Sequence, residues 1–79
     1  MPHITIKMLK GRTQEQKELA SEMVANALYE AIGCSQSHIS VSVEDYTPEE
    51  WQEVYANEVE NNPKIIKNAN YNPKDLLKK

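Results

Sequence analysis

The chain holds one cysteine, Cys34, among 79 residues, so no internal disulfide can form. Phenylalanine is absent, tryptophan occurs once and glycine twice. Aromatic residues are thus few, 6% of the chain. At this length a single domain is expected, spanning 1–79. A domain so small buries a limited share of its surface, and without a disulfide or a metal it needs another source of stability. The two histidines, His3 and His38, stand far apart, and neither joins a C-x-x-C or H-E-x-x-H spacing. No metal and no cofactor is expected, and a second copy of the same chain remains as support. Basic residues are outnumbered, nine Lys and Arg against twelve Asp and Glu, for a net charge of −3. That balance argues against a general nucleic-acid partner, which needs a basic surface. No apolar run is long enough for a membrane span or a signal-peptide core. A cytoplasmic location is expected, and the free thiol of Cys34 suits it. Cys34 itself reads as a small turn residue, since no histidine sits at a nucleophile spacing.

What is present reads as alternating strands around a long helix. Ile4, Ile6 and Met8 alternate with Thr5 and Lys7, a strand with one apolar face. Lys10-Gly11-Arg12 is a turn. Thr13 followed by Gln16 is a capping-box start. Ala20, Met23, Val24, Ala27, Leu28, Ala31 and Ile32 recur at helical spacing, with Glu15, Glu18, Glu22 and Asn26 toward solvent. Gly33 marks the helix end. Ile39, Val41 and Val43 alternate with Ser40 and Ser42 as a second strand. Thr47-Pro48-Glu49-Glu50 starts a second, shorter helix through a cap, a proline at the first helical position and acids in the first turn. Trp51, Val54, Tyr55, Glu58 and Val59 follow at helical spacing until Asn61-Asn62-Pro63 interrupts. Ile65, Ile66 and Tyr71 are expected to pack back, and residues from about 72 to 79 to form a loose tail.

Strand, helix, strand gives an α/β class: one β-α-β unit with two parallel strands and a right-handed crossover. Two strands cannot close a core alone. Edge pairing across a two-fold axis would complete a four-stranded sheet in a homodimer.

One feature points to chemistry. Pro2 follows the initiator methionine and runs directly into an apolar strand. Removal of Met1 would leave a secondary amine held by the sheet rather than frayed in solvent. An apolar surrounding and a nearby cation both disfavour the charged form of such an amine. An amine titrating near neutrality can act as a general base. The alternative is a start codon that happens to precede proline.

Pro2-His3-Ile4, the segment Gly11-Arg12-Thr13-Gln14-Glu15-Gln16-Lys17 and the alternation from Ile39 to Val43 together resemble the 4-oxalocrotonate tautomerase family. The resemblance covers roughly Pro2 to Val59. Chain length and Pro48-Glu49-Glu50-Trp51 resemble its longer, dimeric branch. It implies the same β-α-β fold and a keto–enol tautomerase acting on a small 2-hydroxydienoate or enolpyruvate-type carboxylate. Pro2 matches the family's catalytic base. Arg12 matches an arginine that holds the substrate carboxylate. Trp51 falls where an aromatic residue walls the pocket. Ser40 falls where many members carry a second arginine, and a serine offers only a neutral hydrogen bond there.

Each position also has a plainer reading. Arg12 reads as a solvated loop residue, Trp51 as core, His3 as a strand residue beside the site, and Ser40 as strand filler. Pro2 and Arg12 flank opposite ends of the first strand. Seven strand residues span roughly 23 Å, more than an arginine side chain reaches. If both serve one site, Arg12 comes most simply from a neighbouring chain. Two other functions remain open: a non-catalytic oligomeric binding module of the same fold, and a hydratase or dehalogenase in which the proline acts as an acid.

Overall fold

The structure, a computed structural model, describes residues 1–78. The chain divides into two compact units, Met1–Asp45 and the residues from Tyr46 onward.

In the first unit, β1 (His3–Leu9) leads to α1 (Gln14–Ile32), and β2 (Ser40–Tyr46) leaves toward the second unit. β1 and β2 pair in parallel as a two-stranded sheet, as the crossover through α1 requires. Gly11, at φ 128°, allows the turn out of β1. The capping box expected at α1 is present. Thr13 Oγ1 accepts from Gln16 N at 3.1 Å, and Gln16 Oε1 accepts from Thr13 N at 2.9 Å. Gly33, in the left-handed conformation at φ 72°, ends the helix and donates its N–H to Tyr29 O.

Strand alternation sets the faces of the sheet. Ile4 and Ile6 are half-buried while His3 and Thr5 are exposed. β2 runs three residues beyond the expected apolar stretch, through Glu44, Asp45 and Tyr46, and Ile39 stands just ahead of it. Polar residues continue the strand because Asp45 has a partner inside the unit: Lys17 Nζ donates to Asp45 Oδ2 at 2.5 Å.

The apolar stripe on α1 is only partly covered. Ala20, Val24 and Leu28 are half-buried as expected, and Lys17, Ser21 and Ala25 join them. Met23, Ala27, Ala31 and Ile32 are exposed, Met23 to 61%. Leu19, one turn before Met23, is exposed as well. The reason is width: a two-stranded sheet covers one side of a 19-residue helix and leaves the other apolar flank open.

In the second unit, α2 (Pro48–Tyr55) starts at a second full capping box, in which Thr47 and Glu50 bond reciprocally at 3.1 and 2.8 Å. A π turn over Ala56–Glu60 continues it and ends where Asn61 N donates to Ala56 O. Among the described residues the sole buried hydrophobic side chain is Tyr55, 7% exposed. Its ring meets that of Tyr71 edge-on, with centroids 5.3 Å apart. Tyr71 thus packs back as expected, whereas Ile66 is fully exposed and Ile65 half-buried. Where a loose tail was expected, Pro73–Leu77 form a 3-10 turn. Asn72 Oδ1 caps it at Lys74 N, and Gln52 Nε2 of α2 donates to Pro73 O at 2.8 Å. Lys79 lies outside the described residues.

Candidate active site

Pro2 stands at the head of β1, half-buried, and its carbonyl accepts from the backbone N–H of Ser40 at 3.3 Å. That bond belongs to the register of the parallel pair, so the strands themselves bring Pro2 and Ser40 together. Met1, ahead of Pro2, is 98% exposed.

His3 and Ser40 lie side by side on the open face of the sheet. His3 Nδ1 is 2.6 Å from Ser40 Oγ, and His3 Nε2 is 3.1 Å from Thr5 Oγ1. Ser42 Oγ lies 3.5 Å from the same Nε2 and donates to Thr5 Oγ1 at 3.4 Å. The sequence placed His3 beside the site and left Thr5 and Ser42 as alternation. The available signal was positional: four polar residues at every second place of two parallel strands must share one face.

Arg12 stands past the far end of the seven-residue β1 and is exposed. It has no hydrogen-bond or ion-pair partner among the described residues. The strand separates it from Pro2 of its own chain by roughly 23 Å. Within one chain the structure therefore joins Pro2 to Ser40 and does not join either to Arg12.

Trp51 belongs to the second unit. Pro48 at the start of α2 and the capping box at Thr47 fix where its helix begins. The indole Nε1 donates to the Tyr71 hydroxyl at 2.9 Å, and the ring lies 6.2 Å from that of Tyr46, tilted by 55°. Trp51 belongs to an aromatic group with three tyrosines: Tyr46 and Tyr71 meet it directly, and Tyr55 joins through Tyr71. The tie to Tyr71 escaped the sequence reading, because a loop twenty residues on carries no periodic signal.

Two open grooves run between α1 and β2. One, of about 240 Å³, is lined by Gln14, Lys17, Glu18, Ser21, Val41 and Val43. The other, of about 540 Å³, includes Asn26, Gln36 and Ile39. Neither is lined by Pro2, Arg12 or Ser40.

The site's frame is a single β-α-β unit with a proline at the head of its first strand. Comparison with known proteins narrows this. The sequence profile of the family described as "Tautomerase enzyme" matches residues 2–54, and the chain belongs to that family. It is 33% identical over 73 residues to a probable tautomerase of Xylella fastidiosa (strain 9a5c), covering 90% of this chain and 89% of the relative. It is 47% identical over 45 residues to the 2-hydroxymuconate tautomerase of Bacillus subtilis (strain 168), covering 57% of this chain and 73% of that one. The crystal structure of YwhB, a homologue of 4-oxalocrotonate tautomerase, superposes with a TM-score of 0.60 at 41% identity. That match covers 62% of this chain and 80% of YwhB. The protein is thus an enzyme of the isomerase class with tautomerase activity. No helix of the described residues is long and apolar enough to cross a membrane.

Proposed function

We propose that the protein is a keto–enol tautomerase for small enolpyruvate-type or 2-hydroxydienoate carboxylates, with the amine of Pro2 as general base once Met1 is removed. The observation that carries this reading is the position of Pro2. It sits half-buried at the head of β1, tied to Ser40 through its carbonyl, with an exposed Met1 in front. The freed secondary amine takes the proton from the enol oxygen. The carbonyl forms as the double bond shifts, and the same amine returns the proton to carbon. No cofactor enters this balance.

Arg12 binds the substrate carboxylate. Since β1 separates it from Pro2 of its own chain, it is supplied by a neighbouring chain. A homodimer fits this need. The uncovered ridge of Leu19 and Met23 and the scarcity of fully buried side chains support such an assembly. Trp51 forms the apolar wall for the rest of the substrate. Ser40 offers a neutral hydrogen bond beside Pro2. With a single cationic group in the site, a monocarboxylate suits it better than a dicarboxylate. The family match at 2–54 crosses the boundary between the two compact units, which supports reading 1–79 as one tautomerase domain; a cytoplasmic location is part of the same proposal.

The test is the steady-state rate of ketonisation by protein processed to Pro2, beside protein with one residue added ahead of Pro2. The processed form is expected to be faster by about 100- to 10,000-fold, the usual worth of general base catalysis. Equal rates in two correctly folded samples would remove Pro2 from the mechanism and favour the binding-module reading.

A further inference from the structure

On the open face of the sheet, His3 and Thr5 of β1 meet Ser40 and Ser42 of β2 in one connected set of hydrogen bonds. The contacts admit a directed chain of bonds. A neutral imidazole carries one hydrogen, so one ring nitrogen donates and the other accepts. Ser42 Oγ donates to Thr5 Oγ1 at 3.4 Å, which leaves the hydrogen of Thr5 free for His3 Nε2 at 3.1 Å. When Thr5 turns that hydrogen to Nε2, this nitrogen accepts and Nδ1 bears the ring hydrogen; when Thr5 accepts a second bond instead, the hydrogen sits on Nε2. In the first case Nδ1 donates to Ser40 Oγ at 2.6 Å, the shortest bond of the set. Ser40, already accepting, keeps its own hydrogen for a partner outside the chain. A surface serine hydroxyl is ordinarily donor or acceptor by turns; accepting from Nδ1, this one is left to donate outward, and each bond along the chain polarises the next. With the other tautomer the order reverses: Ser40 would donate into the ring and show only lone pairs outward.

We propose that His3 is a positioning residue for the tautomerase reaction, holding the Ser40 hydroxyl as an outward donor to the enol or carbonyl oxygen of the substrate. Thr5 and Ser42 fix the ring tautomer that makes this possible. The inference rests on the Pro2 reading, because the bond from Ser40 N–H to the Pro2 carbonyl pairs Ser40 with the residue that carries the amine. As the amine takes the enol proton, negative charge develops on that oxygen, and a donor already aimed at it stabilises the charge without reorganisation. The donor is neutral, so it adds nothing for a second carboxylate. It directs the site toward 2-oxo acids with one carboxylate and an uncharged remainder.

Nitrogen-15 NMR of the His3 ring in the processed protein, at a pH where the ring is neutral, reads the tautomer without any turnover. The hydrogen is expected on Nδ1; a hydrogen on Nε2 overturns the assignment. In kinetics, His3→Ala and Ser40→Ala are each expected to lower kcat about tenfold or more with little change in KM. The double variant should fall no further than the worse single one, since the two act as a unit. His3→Asn, which can place an amide N–H where Nδ1 sits, should recover part of the loss. His3→Gln should not. Additive losses, or an unchanged kcat in His3→Ala, overturn the proposal. Full activity in protein extended ahead of Pro2 would overturn the Pro2 reading instead, and the tautomer would still judge His3 by itself.

Discussion

Replacing Tyr71 separates two contributions to the setting of Trp51. In Tyr71→Phe the ring stays against Tyr55, with centroids 5.3 Å apart, but the indole N–H loses its acceptor at 2.9 Å. A net hydrogen bond contributes about 0.5–1.5 kcal/mol. Trp51 is half-buried and Tyr71 46% exposed, so water can replace the lost acceptor. The low end, about 0.5 kcal/mol, is therefore expected. Tyr71→Ala also removes the edge-on ring pair, worth about 0.5–1.5 kcal/mol, and uncovers part of Tyr55, the one buried hydrophobic side chain among the described residues. About 2 kcal/mol in total is expected for that variant. Urea unfolding followed by fluorescence measures both, and the single tryptophan of the chain makes the signal specific to Trp51. If Trp51 walls the pocket, Tyr71→Phe should also raise KM for a substrate with an apolar group while kcat holds. Equal losses of stability in the two variants, or none in Tyr71→Ala, would refute this ordering.

Other expectations follow from the same contacts. Arg12→Ala should raise KM for a monocarboxylate with kcat nearly unchanged, if Arg12 holds the carboxylate equally in ground and transition states; steady-state kinetics decides. The processed enzyme should turn over an enolpyruvate-type monocarboxylate faster than a dicarboxylate dienol, and the reverse preference would contradict a neutral Ser40. Lys17→Met leaves Asp45 without its partner, while Asp45 Oδ1 already has none. It should destabilise more than Lys17→Met combined with Asp45→Leu, as read from urea midpoints, because removing one member of a half-buried pair strands the other. Sedimentation should find a dimer, and a folded, active monomer would refute supply of Arg12 by a neighbour.

Local rules made much of the fold legible. Alternation at Ile4 and Ile6, the capping residues Thr13 and Thr47, and Gly33 at the end of α1 each act within a few positions of chain, and the structure contains them. Helical spacing gave the apolar stripe of α1 but not the side its own sheet would cover. Met23, Ala27 and Ile32 therefore stand open where cover was expected. The 3-10 turn after Asn72 depends on Gln52 reaching Pro73, a contact across twenty-one positions that no periodicity announces. At the site, the pairing of Pro2 with Ser40 follows from a parallel β-α-β unit. The link from His3 to Ser40 needs the register of the strands as well. The tyrosines around Trp51 come together only through tertiary packing.

The central claim is that the free amine of Pro2 is the base. Its most direct test is a nitrogen-15 titration of the Pro2 nitrogen in the active enzyme, set beside the pH profile of kcat/KM. A base must be unprotonated, so activity should rise with pH as the amine loses its proton, and the two midpoints should coincide, since kcat/KM reports the free enzyme. An active sample whose Pro2 nitrogen remains an amide, or an amine midpoint separate from the rising limb of activity, would contradict the claim.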